Sequence, residues 1–357
     1  MTRQPLDFRT TAGFALLLGL VACVLHAPLD AQRQKKNRIP RYKQDPYTNG
    51  NEKLMKALGY VSYGPMPFGT RGSDTVTSAD IEKHLSYAEF IWVETAHFRI
   101  GMNLPAYVIP EEAATKKKIR AELTTLKARL PKIKPKTRKM DRWLRLHLTA
   151  QRMEALYAEF QQRLGVKDSD FPKSQADVVV GRGRYMGYGP YLGQRDKYLL
   201  LLCEKQSTYL DYLKNFIGKS TALGQRWNFK GVGSLFYGLA IENEPKLKHD
   251  TGLHNDLIFN QIHSLLDGFR HYSYDLPVWI TEGLAHWWER QNDPRWNTFS
   301  QSEGGVADTR TTWKWRAYMR GLFAKKKFSS FASVYKWRDY TDLQFDDHVG
   351  IWSRWDF

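Results

Sequence analysis

Apolar residues recur at helical spacing in two stretches of the first half of the chain. Ile119, Leu123, Leu126 and Leu130 form one stripe, and the spacing predicts an amphipathic helix over residues 111–130. The segment PKIKPKTRK, Pro131–Lys139, breaks it. Asp141 then stands where an N-cap belongs. Trp143, Leu146, Ala150, Met153, Tyr157, Phe160 and Leu164 make a second, longer stripe that Gly165 ends. Elsewhere the apolar residues come in short runs, which predict strands. AEFIWVETAHFRIGM, Ala88–Met102, is β-rich, with the better strand in its second half. ADVVVG, YLLLLCEK and VGSLFYGLAI are further strand-like runs set off by glycines. From about Gly252 the pattern is helical again. Nine of the twelve tryptophans lie from Trp279 onward, which predicts an aromatic core between helices. The mixture predicts an α+β fold.

The first 31 residues carry a different pattern. Arg3 and Arg9 precede AGFALLLGLVACVL, Ala12–Leu25, a run suited to a signal peptide and short for a membrane span. LVAC, Leu20–Cys23, resembles a bacterial lipobox; cleavage after Ala31 is the alternative. The chain is therefore expected to be exported to the periplasm, cell envelope or exterior, as a lipid-anchored or a free form. Residues 32–75 are polar and basic and read as a flexible linker. Residues 76–250 are then expected to form an α/β part, and residues 251–357 a helical part.

Charge and small motifs narrow the function classes. The net charge of +17 favours anionic partners. Thirteen of the cations lie between Lys116 and Arg145, against only Glu122 and Asp141. A solvated helix face explains such a run, and so does contact with an anionic polymer or a membrane surface. No specific nucleic-acid motif accompanies it. With Cys23 removed or lipidated, Cys203 has no partner, so no internal disulfide is expected and Cys203 reads as a small buried residue. The glycines of GRGRYMGYGPYLG precede no helical pattern, GKST at Gly218–Thr221 lacks the earlier glycine of a phosphate loop, and no G-x-S-x-G is present.

The candidate chemistry lies in IFNQIH, Ile258–His263, and WITEGLAHWWER, Trp279–Arg290. In H-E-x-x-H zinc peptidases, two histidines one helical turn apart bind the metal and the glutamate between them acts as base. In gluzincins a downstream glutamate is the third ligand. Pro277, Trp279, Glu282, Gly283 and Ala285, with His263 at the matching distance, resemble the peptidase-MA-like group of exported gluzincin proteins. VETAHFRIG, Val93–Gly101, resembles the opening strand of such domains, so the resemblance spans residues 88–357. It implies a zincin-like fold, with a small mixed or antiparallel sheet packed against helices. It also implies that Phe259 occupies the first ligand position and Asn260 the base position. Phenylalanine binds no zinc, and asparagine takes no proton from metal-bound water.

Three readings stay open. The leading one is a zinc-peptidase-like domain without catalysis, acting as a binding or structural module for a peptide, protein or envelope polymer. It needs no cofactor and has no catalytic residue. The second is an active zinc hydrolase whose rearranged ligands are His263, Glu282 and His286, with Asp267 as a further candidate. His254 falls on the opposite side of the helix from His263. The third is a basic protein that binds anionic polymer and meets a membrane only through its signal or lipid anchor. Glu289 lies near the Glu282–His286 face, where a salt bridge to Arg270 or Arg290 would also explain it. HVGIWSRWDF, His348–Phe357, opens an apolar aromatic helix, after which domains of this kind usually continue.

Overall fold

A computed structural model describes residues 39–177, 187–271, 276–304 and 314–356. The chain divides into residues 1–40 and residues 41–357. The expected signal, its lipobox and most of ADVVVG lie outside the described residues. Residues 41–357 begin with α1 (Glu52–Ala57), the hairpin strands β1 (Pro67–Arg71) and β2 (Asp74–Thr77), and α2 (Ser78–His84). Next come β3 (Ile91–Glu94), β4 (Phe98–Met102), β5 (Tyr107–Val108), α3 (Ala113–Lys127), β6 (Lys139–Met140) and the long α4 (Arg142–Leu164). The second half holds β7 (Tyr198–Cys203), α5 (Gln206–Tyr212), β8 (Gln225–Phe229) and β9 (Ser234–Ala240). It closes with α6 (Pro245–Lys248), α7 (Asp250–Arg270), α8 (Val278–Asn292), α9 (Trp315–Ala324), α10 (Phe331–Val334) and α11 (Phe345–Ser353).

The fold is α+β around a mixed five-stranded sheet of order β3-β4-β7-β9-β8. β4, β7 and β9 run parallel, and β3 and β8 are antiparallel edges. Successive side chains of a strand face opposite sides. In β7, Tyr198, Leu200 and Leu202 enter a core shared with Ile119, Leu123, Met153, Tyr157 and Leu257 of the helices. Leu199, Leu201 and Cys203 enter a second core with Phe68, Ile81 and Tyr209. A strand covered on both faces must be apolar at every position, which is why YLLLLC shows no alternation. Burial pushes the Cys203 thiol's pKa up.

The helical stripes fold as their spacing predicts. Asp141 accepts the Leu144 N–H at 2.9 Å to cap α4, and Gly165 ends that helix at φ 65°. Ile119, Leu123 and Leu126 are the buried face of α3. The segment at 88–102 is β as expected, with β4 in its second half and the shorter β3 before it. The Thr95 hydroxyl accepts from Phe98 N–H at 3.0 Å and turns β3 into β4.

Residues 41–75 also correct the linker reading, since they are folded. Asp45, 4% exposed, accepts from the Thr48 and Tyr63 hydroxyls at 2.5 and 2.6 Å. The His147 ring, deep in α4, lies 3.1 Å away. Buried hydrogen-bonded polar groups hold this stretch to the body together with apolar side chains that enter the two cores, Leu58 and Tyr60 in one and Met66 and Phe68 in the other. Among the described residues, no helix is long and apolar enough to cross a membrane.

Candidate metal centre

α7 and α8 pack against each other, and α11 crosses α8. α7 is buried on nearly every face, so its histidines and asparagines lie inside the protein. α8 starts directly after Pro277, whose carbonyl accepts the Ile280 N–H at 2.8 Å. One turn on, Gly283 explains part of the E-G-x-A pattern. A Cβ there would stand 2.6 Å from the Trp355 indole nitrogen and 3.2 Å from the Ile351 carbonyl oxygen. The missing side chain lets α11 lie close over α8, and α11 carries His348.

Glu282, His286 and His348 meet in the interior, each fully buried. His286 Nε2 lies 2.9 Å from His348 Nδ1 and 3.4 Å from Glu282 Oε2. His348 Nδ1 lies 3.6 Å from the same Glu282 oxygen. Ligands about 2.0–2.1 Å from a tetrahedral zinc stand roughly 3.3–3.4 Å from one another. The two edges to Glu282 are close to this, and the imidazole–imidazole edge, at hydrogen-bond length, would have to open by about 0.4 Å to admit an ion. His263 Nε2 faces the other oxygen of Glu282, at 3.7 Å. The carboxylate of Glu282 thus stands between His263 and the His286–His348 pair.

The remaining nitrogen of His286 is braced. Its Nδ1 lies 2.9 Å from Glu289 Oε1, and the Glu289 carboxylate accepts the Thr298 N–H at 3.0 and 3.1 Å. A carboxylate behind a histidine fixes ring and tautomer, as it does behind metal-bound imidazoles. Burial raises the Glu289 carboxyl pKa to about 8, although the Thr298 N–H opposes the shift. Burial pushes the pKa of His263, His286 and His348 well below the ordinary imidazole value, and neighbouring cations or imidazoles add to it. Neutral imidazoles are the form that ligates metal.

His263, Glu282 and His286, singled out from the sequence, are therefore brought together around Glu282. The tightest donor group is different, because His348 takes the place given to His263. Asp267 is half-buried and outside this group. His254 lies elsewhere, 3.4 Å from Lys118 Nζ and 3.9 Å from Glu122. Glu289 meets His286 and the Thr298 N–H, and the Arg290 charge also acts on it. The Arg290 guanidinium covers Trp315, 4.0 Å from the ring centre.

No family model, curated protein or solved structure matches this chain.

The two altered positions have defined surroundings. The Phe259 ring is fully buried, its centre 4.9 Å from that of His263 and 5.2 Å from that of His286. It fills space between the two imidazoles with carbon. Asn260 donates to the Asp256 carbonyl and accepts from Arg226 Nη1, both at 3.0 Å. With a cation at its oxygen, it has no capacity to take a proton. Beside it is a cavity of about 70 Å³, lined also by Asp256, Tyr237 and Thr298. Burial raises the Asp256 pKa to about 6, while the Tyr237 hydroxyl donates to its carboxylate at 2.6 Å.

Proposed function

We propose that this chain is a zincin-like protein without peptidase chemistry that holds a divalent metal ion as an internal brace. Glu282, His286 and His348 are the ligands, His263 stands behind Glu282, and zinc is the ion that suits this nitrogen and oxygen donor set. The supporting observation is the buried triangle with edges of 2.9, 3.4 and 3.6 Å, one corner of which is braced by Glu289. The ion would join α8 to α11 and so tie the C-terminal helices to the body. Loss of catalysis is supported by the Arg226-bound amide of Asn260 and by complete burial of the donors, which leaves a peptide no approach. Export is part of the same proposal and rests on the sequence pattern of residues 1–31.

The two imidazoles can also be joined without an ion, as a hydrogen-bonded chain from Glu289 through His286 to His348. Metal content separates the two. The full chain, purified without chelator, should carry about one zinc per molecule by elemental analysis, as one closed site requires. Its thermal midpoint should fall on chelation and return with zinc. His348→Ala should lose the metal. A protein that carries none, and whose midpoint ignores both chelator and zinc, refutes the proposal.

A further inference from the structure

The cations between Lys116 and Arg145 have sorted themselves in the fold. Lys118 turns inward to Asn292. Arg129 donates to Gln151, Lys132 to the Pro46 carbonyl, Arg142 to Glu89 and Arg145 to the Pro105 carbonyl. Lys116 pairs with Glu111. The two acids of the stretch are engaged elsewhere: Glu122 faces Arg152, and Asp141 caps α4 and accepts from Tyr47. Of the seven others, Lys117, Arg138 and Lys139 are exposed outside the groove lining, and four stand around one concavity of about 530 Å³: Arg120 and Lys127 of α3, and Lys134 and Lys136 of the following loop. Thr124, Ile133 and Pro135 complete it, with no carboxylate in the lining. Lys127, Lys134 and Lys136 are exposed, and among the described residues none of the four forms an ion pair. Arg120 adds a second observation. Its Nε is buried without a hydrogen-bond acceptor, a condition that costs free energy, while the residue lines the groove.

We propose that this groove binds a flexible linear chain of phosphate groups. Arginine and lysine at close spacing are phosphate-binding chemistry, and a groove with cations on both sides suits a chain better than a plane. No aromatic side chain lines it for stacking bases, as groove binders of single-stranded nucleic acid use. No exposed large apolar side chain lines it to enter a bilayer. This proposal is independent of the metal centre.

The test is a titration of the full chain with inorganic polyphosphate, repeated across salt concentrations. The quadruple variant R120Q/K127Q/K134Q/K136Q should bind at least about 10-fold more weakly. Its slope of log affinity against log salt should be shallower by roughly three, at about 0.7 per phosphate contact. The triple variant that keeps Arg120 should lose most of the affinity while retaining the thermal midpoint. The control K53Q/K56Q/K325Q/K336Q removes the same charge from exposed positions elsewhere and should stay within about 3-fold. Equal losses in groove variant and control would reduce the effect to net charge and overturn the proposal. Anionic phosphatidylglycerol vesicles bound more tightly than polyphosphate, with the same dependence on the four residues, would overturn it in favour of a bilayer. Single-stranded DNA bound more tightly per phosphate would overturn it in favour of nucleic acid.

Discussion

Two of the regions that gather histidine with carboxylates, around His97 and around Glu282, are built on opposite rules. Around His97, every atom has a partner. Its Nδ1 lies 2.6 Å from Glu154 and its Nε2 3.4 Å from Asp168, and its ring stacks on Tyr157 at 3.8 Å. The two acids also accept from Thr95, Tyr157 and Leu192. Burial alone would lower the His97 pKa, but the hydrogen bonds and charges of Asp168 and Glu154 raise it to about 9. Asp45 is the mirror case. Burial would raise its carboxyl, but His147, Thr48 and Tyr63 draw it well below the usual carboxylate range. At Glu282 the imidazoles are driven to the neutral form instead, and His263 Nε2 and His348 Nε2 are buried without hydrogen-bond partners. A cluster that satisfies its own charges is complete as it stands. One that crowds neutral imidazoles around a buried carboxylate is the kind of cluster the proposed ion would complete.

The largest expected effect separates these two kinds of cluster. His286→Ala removes the imidazole shared by Glu282 and Glu289 and leaves a cavity, at a cost of about 3–5 kcal/mol. If the metal reading holds, bound zinc disappears with it, and the variant's midpoint no longer responds to chelator. His97→Gln should leave zinc content unchanged. Elemental analysis beside denaturant titration reads both. Zinc lost equally from both variants would erase the distinction.

The next effect is a pH dependence that belongs to His97. Its folded pKa is raised, so its stabilisation is complete below about 6.5 and declines as pH rises through about 9. The shift sets an upper bound of ~3 kcal/mol. Wild type should therefore lose stability between these limits, and His97→Gln should flatten that part of the profile. For Asp45 the sign reverses: its contribution is present above about pH 3.9 and fades as pH falls towards its depressed folded value, and Asp45→Asn should remove that acid limb. An unchanged alkaline limb in His97→Gln would show that the cluster does not carry charge.

Gly283→Val comes third. Its side chain would press on Trp355 and on the Ile351 carbonyl, an overpacking cost of roughly 1–3 kcal/mol. The displaced α11 would withdraw His348 from Glu282, so zinc affinity should fall although no ligand was changed. Zinc affinity equal to wild type would mean that α11 does not need this close approach.

What could be read in the chain follows from where the information is local. Glu282 and His286 share a helix face at i, i+4, and His263 stands at a recognisable distance, so their meeting was legible. His348 was not, because it lies 62 residues beyond His286 in an apolar aromatic helix. Only the oddity of a histidine among apolar residues marked it. The sheet was legible through YLLLLC, whose lack of alternation reports burial on two faces. Residues 41–75 misled because Asp45, which gathers the Thr48 and Tyr63 hydroxyls, is tied to His147 far along the chain, and polar composition alone looks the same in a linker.

The smallest effect tests whether the altered half of the site still belongs to the centre. Asn260→Asp keeps an oxygen for Arg226 Nη1 and turns that bond into a charge-assisted one, which is stronger. It also places a second oxygen against the Asp256 carbonyl, where the amide now donates at 3.0 Å. Gain and loss are of similar size, so stability should change by no more than about 1 kcal/mol. Zinc content should not change, because the new carboxylate is held by Arg226 rather than by the donors at Glu282. Weak but measurable cleavage of a peptide library by Asn260→Asp, abolished by Glu282→Gln, would break the comparison at its root. It would mean that the base position still addresses a bound ion, and that one residue separates the brace from a catalyst.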